Sequence, residues 1–507
     1  MAISPFRLGE DHLTPAILAQ LAGSPRPALS VSPNVKQRVL DCRSDLEKAV
    51  ARGGTIYGVN TGFGFLSDVS IDTSQLKTLQ TNIIRSHACG VGQPTPDEVV
   101  RALLILRAHT FCLGHSAIRW DVIEQVLAFV KHDILPVIPC QGSVGASGDL
   151  APLSHLALGL IGEGDVRWHG ATVSADIVLK EANLKPLILE AKEGLALING
   201  THYMCSVAAF VMTEAKNLAR AADGIAALSL DATRGTLAAM DERIHQIRHQ
   251  VGQRKVAAFI RTMFAGEDQI VDSHKDCKRV QDPYSFRCIP QVHGATWDTL
   301  VHVEAILERE LNSVTDNPLV FEGGVTLSGG NFHGQPIALV MDFLCIAMAE
   351  LGSISERRTD KLTNPHMNGG LPAFLARDSG LQSGFMIPQV VAAALVSENK
   401  ILCHPASVDS VPTSADKEDH VSMGPIAARK ARQVLENISR ILAIESLAAA
   451  QGIDLLAPLK PAPALQIVHK AIRSKSAPIT GDRSLSKDFE SVASWLIKGG
   501  LGDFLPN

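Results

Sequence analysis

Beyond residue 205 the chain is patterned in long stretches whose apolar side chains recur three and four residues apart. In 300–314 they fall at Leu300, Val303, Ile306, Leu307, Leu311 and Val314, one face of a helix. The Asn317-Pro318 step is expected to end it. In 426–450 the stripe Val434, Leu435, Ile438, Ile441 and Leu442 repeats the spacing, with Gly452 expected just past the helix end. The stretch 337–354 is apolar nearly all round and about long enough to span a membrane. Asp342 and Glu350 inside it, with a mean hydropathy of only +0.13, favour a helix buried in a bundle. Before residue 205, short apolar runs alternate with turns, as in Tyr57-Gly58-Val59-Asn60-Thr61-Gly62-Phe63-Gly64 and Leu135-Pro136-Val137-Ile138-Pro139-Cys140-Gln141-Gly142. Residues 166–173 read as a small hairpin about His169-Gly170. The pattern predicts a mainly α fold: a mixed N-terminal domain (1–205), then a helical bundle and oligomerisation domain (206–507). Several nearly all-apolar helices predict a broad subunit interface. No internal repeat or Ser-, Gly- or charge-rich linker is evident, so the halves are expected to pack closely.

Composition narrows the function. With 46% hydrophobic and 20% charged residues over 507 positions, the chain reads as a packed protein rather than a disordered one. Its 47 basic and 52 acidic residues give a net charge of −5, so neither a nucleic-acid nor a membrane partner is expected. Nine scattered cysteines without a C-x-x-C pair point away from a disulfide framework or structural zinc and toward a reducing compartment. The start, Met1-Ala2-Ile3-Ser4-Pro5-Phe6-Arg7, lacks a basic segment followed by an apolar run, so no secretory signal is expected and a cytoplasmic location is.

The densest chemical signal is Gln141-Gly142-Ser143-Val144-Gly145-Ala146-Ser147-Gly148-Asp149-Leu150-Ala151-Pro152-Leu153-Ser154-His155. A phosphate-binding loop would need Lys then Ser or Thr after the glycines, and neither is there. A nucleophile elbow would need G-x-S-x-G, which Gly145-Ala146-Ser147-Gly148 does not match. Two readings stay open. One is a Gly-rich turn whose Ser and Asp cap the next helix. The other is cyclisation of Ala146-Ser147-Gly148: lacking a Cβ, Gly148 can bring its amide nitrogen close to the Ala146 carbonyl carbon. Loss of two waters would then leave a methylene on an imidazolone, an electrophile that ordinary side chains do not supply.

This run resembles the signature of the aromatic amino-acid ammonia-lyases. Further blocks follow in that family's order: the Tyr57 block, Ser86-His87-Ala88-Cys89-Gly90-Val91-Gly92, Gly194-Leu195-Ala196-Leu197-Ile198-Asn199-Gly200-Thr201, Val280-Gln281-Asp282-Pro283-Tyr284-Ser285-Phe286-Arg287-Cys288, Ser328-Gly329-Gly330-Asn331-Phe332-His333-Gly334, and Glu418-Asp419-His420-Val421-Ser422-Met423-Gly424. The resemblance covers essentially the full length. It implies an ammonia-lyase-like fold, a 4-methylidene-imidazol-5-one group formed from Ala146-Ser147-Gly148, no metal or nucleotide, and a homotetramer with shared sites. It makes Tyr57 a candidate base for the substrate's β-proton and sets Asn199 beside the prosthetic group. Arg287 becomes a clamp on the substrate carboxylate, supported by Tyr284, and Gln281 lies, like Asn199, beside the prosthetic group and the substrate amine or carboxylate. Phe332 packs at the electrophile, and Glu418 faces the substrate. Asp416-Lys417 departs from the Asn-Gln pair common in the family, which bears on the contacts around Glu418.

Within the family, the Ser86-His87 pair sorts substrates. Phe-Leu there goes with phenylalanine and His-Leu with tyrosine. Ser-His fits an imidazole, with His87 exchanging a hydrogen bond with a ring nitrogen. The resemblance therefore implies a small-molecule substrate, L-histidine, converted to trans-urocanate. A phenylalanine or tyrosine lyase or aminomutase, or an inactive scaffold of the same fold, stays open. His155, His333 and His420 read as structural. Cys277 and Cys288 have no expected catalytic part.

Overall fold

The computed structural model describes residues 5–23, 28–53, 56–62, 64–277 and 279–506. Met1 to Ser4, part of the Met1–Arg7 start that bears on a secretory signal, and Phe63 of the tyrosine block lie outside these. Nineteen helices against nine strands of two to four residues make the described chain mainly α, as the periodicity predicts. The strands form two- and three-stranded sheets. The 166–173 hairpin is present: Asp165–Trp168 pairs antiparallel with Ala171–Ser174, Val166 opposite Val173. His169 and Gly170 make the turn, both at positive φ (49° and 80°), as a two-residue hairpin loop requires.

Two compact units partition the chain. The first comprises 1–210, 304–342 and 405–429; the second comprises 211–303, 343–404 and 430–507. The sequence pattern suggested one boundary at 205/206, whereas two later segments return to the first unit.

In the first unit, helix Leu76–His87 buries Leu76, Gln80, Ile83 and Ile84 on one side. Gln80 ties it to two neighbours, donating to the Gly58 carbonyl (3.2 Å) and accepting from the Leu195 amide (3.2 Å). Helix Ile289–Leu311 keeps the expected stripe buried at Leu300, Val303, Leu307 and Leu311. It ends well before Asn317-Pro318. Asn312 Nδ2 donates to the Glu308 carbonyl (2.7 Å) and Ser313 Oγ to the Arg309 carbonyl (2.7 Å), so side chains take the last helical acceptors.

The second unit is held by a buried polar network. Arg358 donates twice to Glu445 (2.5 and 2.9 Å), which also accepts from Ser229 (2.7 Å) and Ser355 (2.5 Å). His293 faces Arg358 through Nε2 (3.2 Å) and Asp223 through Nδ1 (2.6 Å), and Trp297 Nε1 donates to the other Asp223 oxygen (2.8 Å). Gly452 does not terminate its helix, which runs Gly424–Leu455. A Cβ at Gly452 would lie 3.0 Å from Ala232 Cβ and 3.3 Å from Leu371 Cδ1, so the residue allows close packing rather than a left-handed stop. The all-apolar stretch forms part of helix Gln335–Thr363, the one described helix long and apolar enough to cross a membrane by length and composition. Most of its apolar window is buried, but Leu339, Phe343 and Ile346 are 38–50% exposed.

Candidate active site

The Ala146-Ser147-Gly148 turn is bent by its neighbours. Gly145 and Gly148 take φ of 70° and 76°, where a side chain would be strained. Space excludes one as well: a Cβ on Gly148 would lie 2.2 Å from the Gly200 carbonyl oxygen, and one on Gly145 2.4 Å from Ser422 Oγ. The Gly200 amide donates to the Ser147 carbonyl (3.3 Å), and its carbonyl accepts from the Asp149 amide (2.8 Å).

Asp149 does not cap the helix Leu150–Leu160 that it precedes. Its Oδ2 accepts instead from the Tyr203 and Met204 amides (2.8 and 3.0 Å), capping helix His202–Ala232 across the turn. Complete burial pushes this carboxyl up to about 7; the two amides and Arg107 oppose that rise. Arg107, also fully buried, donates to the Ala196 and Asn199 carbonyls (3.0 Å for the latter) and meets His202 Nδ1 at 2.9 Å. It thereby holds the carbonyl end of helix Glu193–Ile198, and desolvation lowers its guanidinium to about 10. The sequence reading did not single it out; the signal was one cation in the apolar run Leu103-Leu104-Ile105-Leu106-Arg107-Ala108.

Tyr57, His87, Ala146, Ser147, Asn199, Phe332 and Glu418 line one cavity of about 910 Å³; Gly148 is buried and is not among its lining residues. His87 is the last residue of its helix, with Nδ1 2.9 Å from Ser86 Oγ. Burial lowers its pKa, so it is neutral near pH 7. The Tyr57 hydroxyl accepts from the Gly64 amide (3.2 Å). Asn199 is buried, and its Oδ1 has no hydrogen-bond partner among the described residues. Glu418 is held from both sides. Oε2 accepts from Thr413 and Ser414 hydroxyls (2.8 and 2.7 Å), and Oε1 accepts from Ser147 Oγ (3.0 Å). The loop carrying it closes through paired Thr413–Glu418 backbone bonds and turns with Ser414, Ala415 and Asp416 all left-handed. Such a run is costly for residues with a Cβ, about 1–2 kcal/mol each, and is sustained by those hydroxyls.

His333 and His420, read from sequence as structural, also line the cavity, their rings stacked at 5.8 Å. His155 accepts from the Gly90 amide (3.1 Å), and burial lowers its pKa. Gln281, Tyr284 and Arg287 belong to the second unit and are not among the cavity's lining residues. Tyr284 is 71% exposed, the Arg287 guanidinium lies 4.7 Å from its ring centre, and Arg287 Nε is unpartnered among the described residues.

A mainly helical chain that turns this tightly at Ala-Ser-Gly beside a phenol, an imidazole and a carboxylate falls in the ammonia-lyase class of folds. The profile of the aromatic amino acid lyase family matches residues 13–474, and the chain belongs to that family. It is 51% identical over 488 residues to a histidine ammonia-lyase of Koribacter versatilis, covering 94% of each chain. The crystal structure of histidine ammonia-lyase from Trypanosoma cruzi matches with a TM-score of 0.90 at 43% identity, covering 99% of this chain and 96% of that one. Tyrosine aminomutase from Streptomyces globisporus matches with 0.93 at 39% identity, covering 99% and 98%. The protein is an enzyme, a carbon–nitrogen lyase.

Proposed function

We propose that the enzyme eliminates ammonia from L-histidine to give trans-urocanate, using a methylidene-imidazolone formed from Ala146-Ser147-Gly148. The observation that carries this is the arrangement of His87 and Glu418 on one cavity with Ser147, in a chain about half identical to histidine ammonia-lyases. The residues present suit the prosthetic group: only a glycine is accommodated at 148, and Asn199 turns an unpartnered oxygen within the same cavity wall. The group supplies an electrophile, which the reaction needs because an amine leaves poorly and the β-hydrogen is barely acidic. Tyr57 takes the β-proton at its phenol oxygen. Neutral His87 exchanges a hydrogen bond with the imidazole. Loss of the Ser147 hydroxyl frees Glu418 Oε1 to accept an imidazole N–H. A phenyl ring would leave that oxygen unpaired, which costs several kcal/mol.

The substrate carboxylate requires a cation, and Lys417 is the only Lys or Arg among the cavity's described lining residues. Arg287 of a second copy, stacked on Tyr284, is our candidate for the clamp, with Gln281 of that copy beside the substrate, in a homotetramer with shared sites. The exposure of Val280 (92%), Tyr284, Phe343 and Ile346 supports a partner surface there. The experiment is kcat/KM for L-histidine, L-phenylalanine and L-tyrosine side by side, with products resolved by chromatography. Histidine should be preferred by orders of magnitude. Comparable values for phenylalanine, or a β-amino acid from tyrosine, would move the chain to the sister enzymes that the aminomutase likeness represents.

A further inference from the structure

Ring closure needs two atoms to meet, the Gly148 nitrogen and the Ala146 carbonyl carbon, while the peptides around them hold still. The hydrogen bonds divide in that way. Among the described residues neither the Gly148 N–H nor the Ala146 carbonyl has a partner, and nor do the Ala146 and Ser147 amides, whereas both Gly145 backbone groups, the Ser147 and Gly148 carbonyls and the Asp149 amide are held. The Gly145 carbonyl accepts from Ser422 Oγ (3.3 Å), the Ser147 carbonyl from the Gly200 amide (3.3 Å), and the Asp149 amide donates to Gly200 (2.8 Å). The two ends of the bend are joined by one side chain. Ser143 Oγ accepts from the Gly145 amide (3.2 Å) and donates to the Gly148 carbonyl (3.3 Å).

We infer that Ser143 is a positioning residue for prosthetic-group formation: its hydroxyl staples Gly145 to Gly148 and presses the Gly148 nitrogen toward the Ala146 carbonyl. The inference rests on the reading of this loop as the precursor of the ring. In the step itself the Gly148 N–Ala146 C bond forms. The Ala146 oxygen leaves as water with the amide protons of Gly148 and Ser147, and Ser147 Oγ leaves as water with its own proton and the Ser147 Hα. Two waters balance the atoms, and no oxidant is needed. Ser143 itself loses nothing. A second cavity, of about 230 Å³, is lined by Ser143, Ala146 and Gly148, ample room for departing water. Holding two reacting groups close replaces a rare chain fluctuation by a standing geometry, which is where an orienting contact gains rate.

The test follows maturation rather than turnover. Full-length wild type, Ser143→Ala, Ser143→Thr and Ser143→Cys are made by cell-free synthesis, sampled over time and weighed intact. The fraction lacking two waters is read beside the near-ultraviolet absorbance of the conjugated ring, and circular dichroism reports folding. Ser143→Ala should fold but mature slower by roughly tenfold or more, the scale on which a misplaced reacting group loses rate. Ser143→Thr, which keeps the hydroxyl, should mature like wild type. If the alanine variant does not fold, Ser143→Cys, a weaker donor of similar size, carries the comparison and should also lag. Wild-type maturation in a folded Ala or Cys variant overturns the inference, as does a folded Thr variant that stalls. A wild-type chain that never loses two waters overturns instead the reading of the loop on which the inference rests.

Discussion

Asp231 lies one residue from the end of helix His202–Ala232, buried, with neither carboxylate oxygen hydrogen-bonded among the described residues. Burial, then the nearby Asp268 charge, raises its pKa to about 8. The carbonyl end of a helix also repels an anion. The folded state therefore holds a proton that the unfolded state releases near pH 4, and stability falls as pH rises from there toward 8. Asp231→Asn removes that dependence. Thermal unfolding should show no gain near pH 4, and a gain growing to its full size above pH 8, on the order of a few kcal/mol. A Tm difference that does not vary with pH would refute this account of Asp231.

Among the elements, the helices of the second unit are registered by charge inside an apolar bundle. Arg358 and Glu445 are fully buried, and every Glu445 oxygen is engaged. Glu445→Gln leaves a buried guanidinium without its counter-ion, a loss of about 3–5 kcal/mol in denaturant unfolding. Replacing both by Met removes the unpaired charge and should cost less than the single change. A double cost equal to the sum of the Arg358→Met and Glu445→Met costs would mean that the pair is not coupled. Burial lowers the pKa of His293, which keeps it neutral between Arg358 and Asp223, so the network does not titrate apart near neutrality.

At the scale of the whole molecule, the exposed Phe343 and Ile346 lie four and seven residues from Leu339 on one side of their helix, an apolar stripe facing outward. Gln281, Tyr284 and Arg287 lie outside the cavity lining, so the proposal that Arg287 of a second copy clamps the substrate ties catalysis to assembly. Phe343→Glu with Ile346→Glu should lower the mass in light scattering after gel filtration and lower histidine turnover together. Retention of a wild-type assembly would remove the stripe from the interface.

Part of the fold was legible residue by residue, where the signals are local. A Gly-bounded Ala-Ser-Gly bend, a two-residue hairpin turn at His169-Gly170 and helical spacing at 300–311 each depend on dihedral freedom and periodicity within a few residues. Long-range partners were not legible. Asp149 precedes one helix and caps another, because the Tyr203 and Met204 amides reach it first. Gly452 reads as a stop and is a packing contact, because Ala232 and Leu371 press on it. The returns of 304–342 and 405–429 bring Phe332 and Glu418 to Ser147. Sequence alone determined what the chain can do locally, its helices and the glycine-bounded bend at Ala146-Ser147-Gly148. Which distant atoms satisfy each buried polar group, and so which residues share the cavity, was decided by the tertiary structure, since those partners lie tens to hundreds of positions away along the chain.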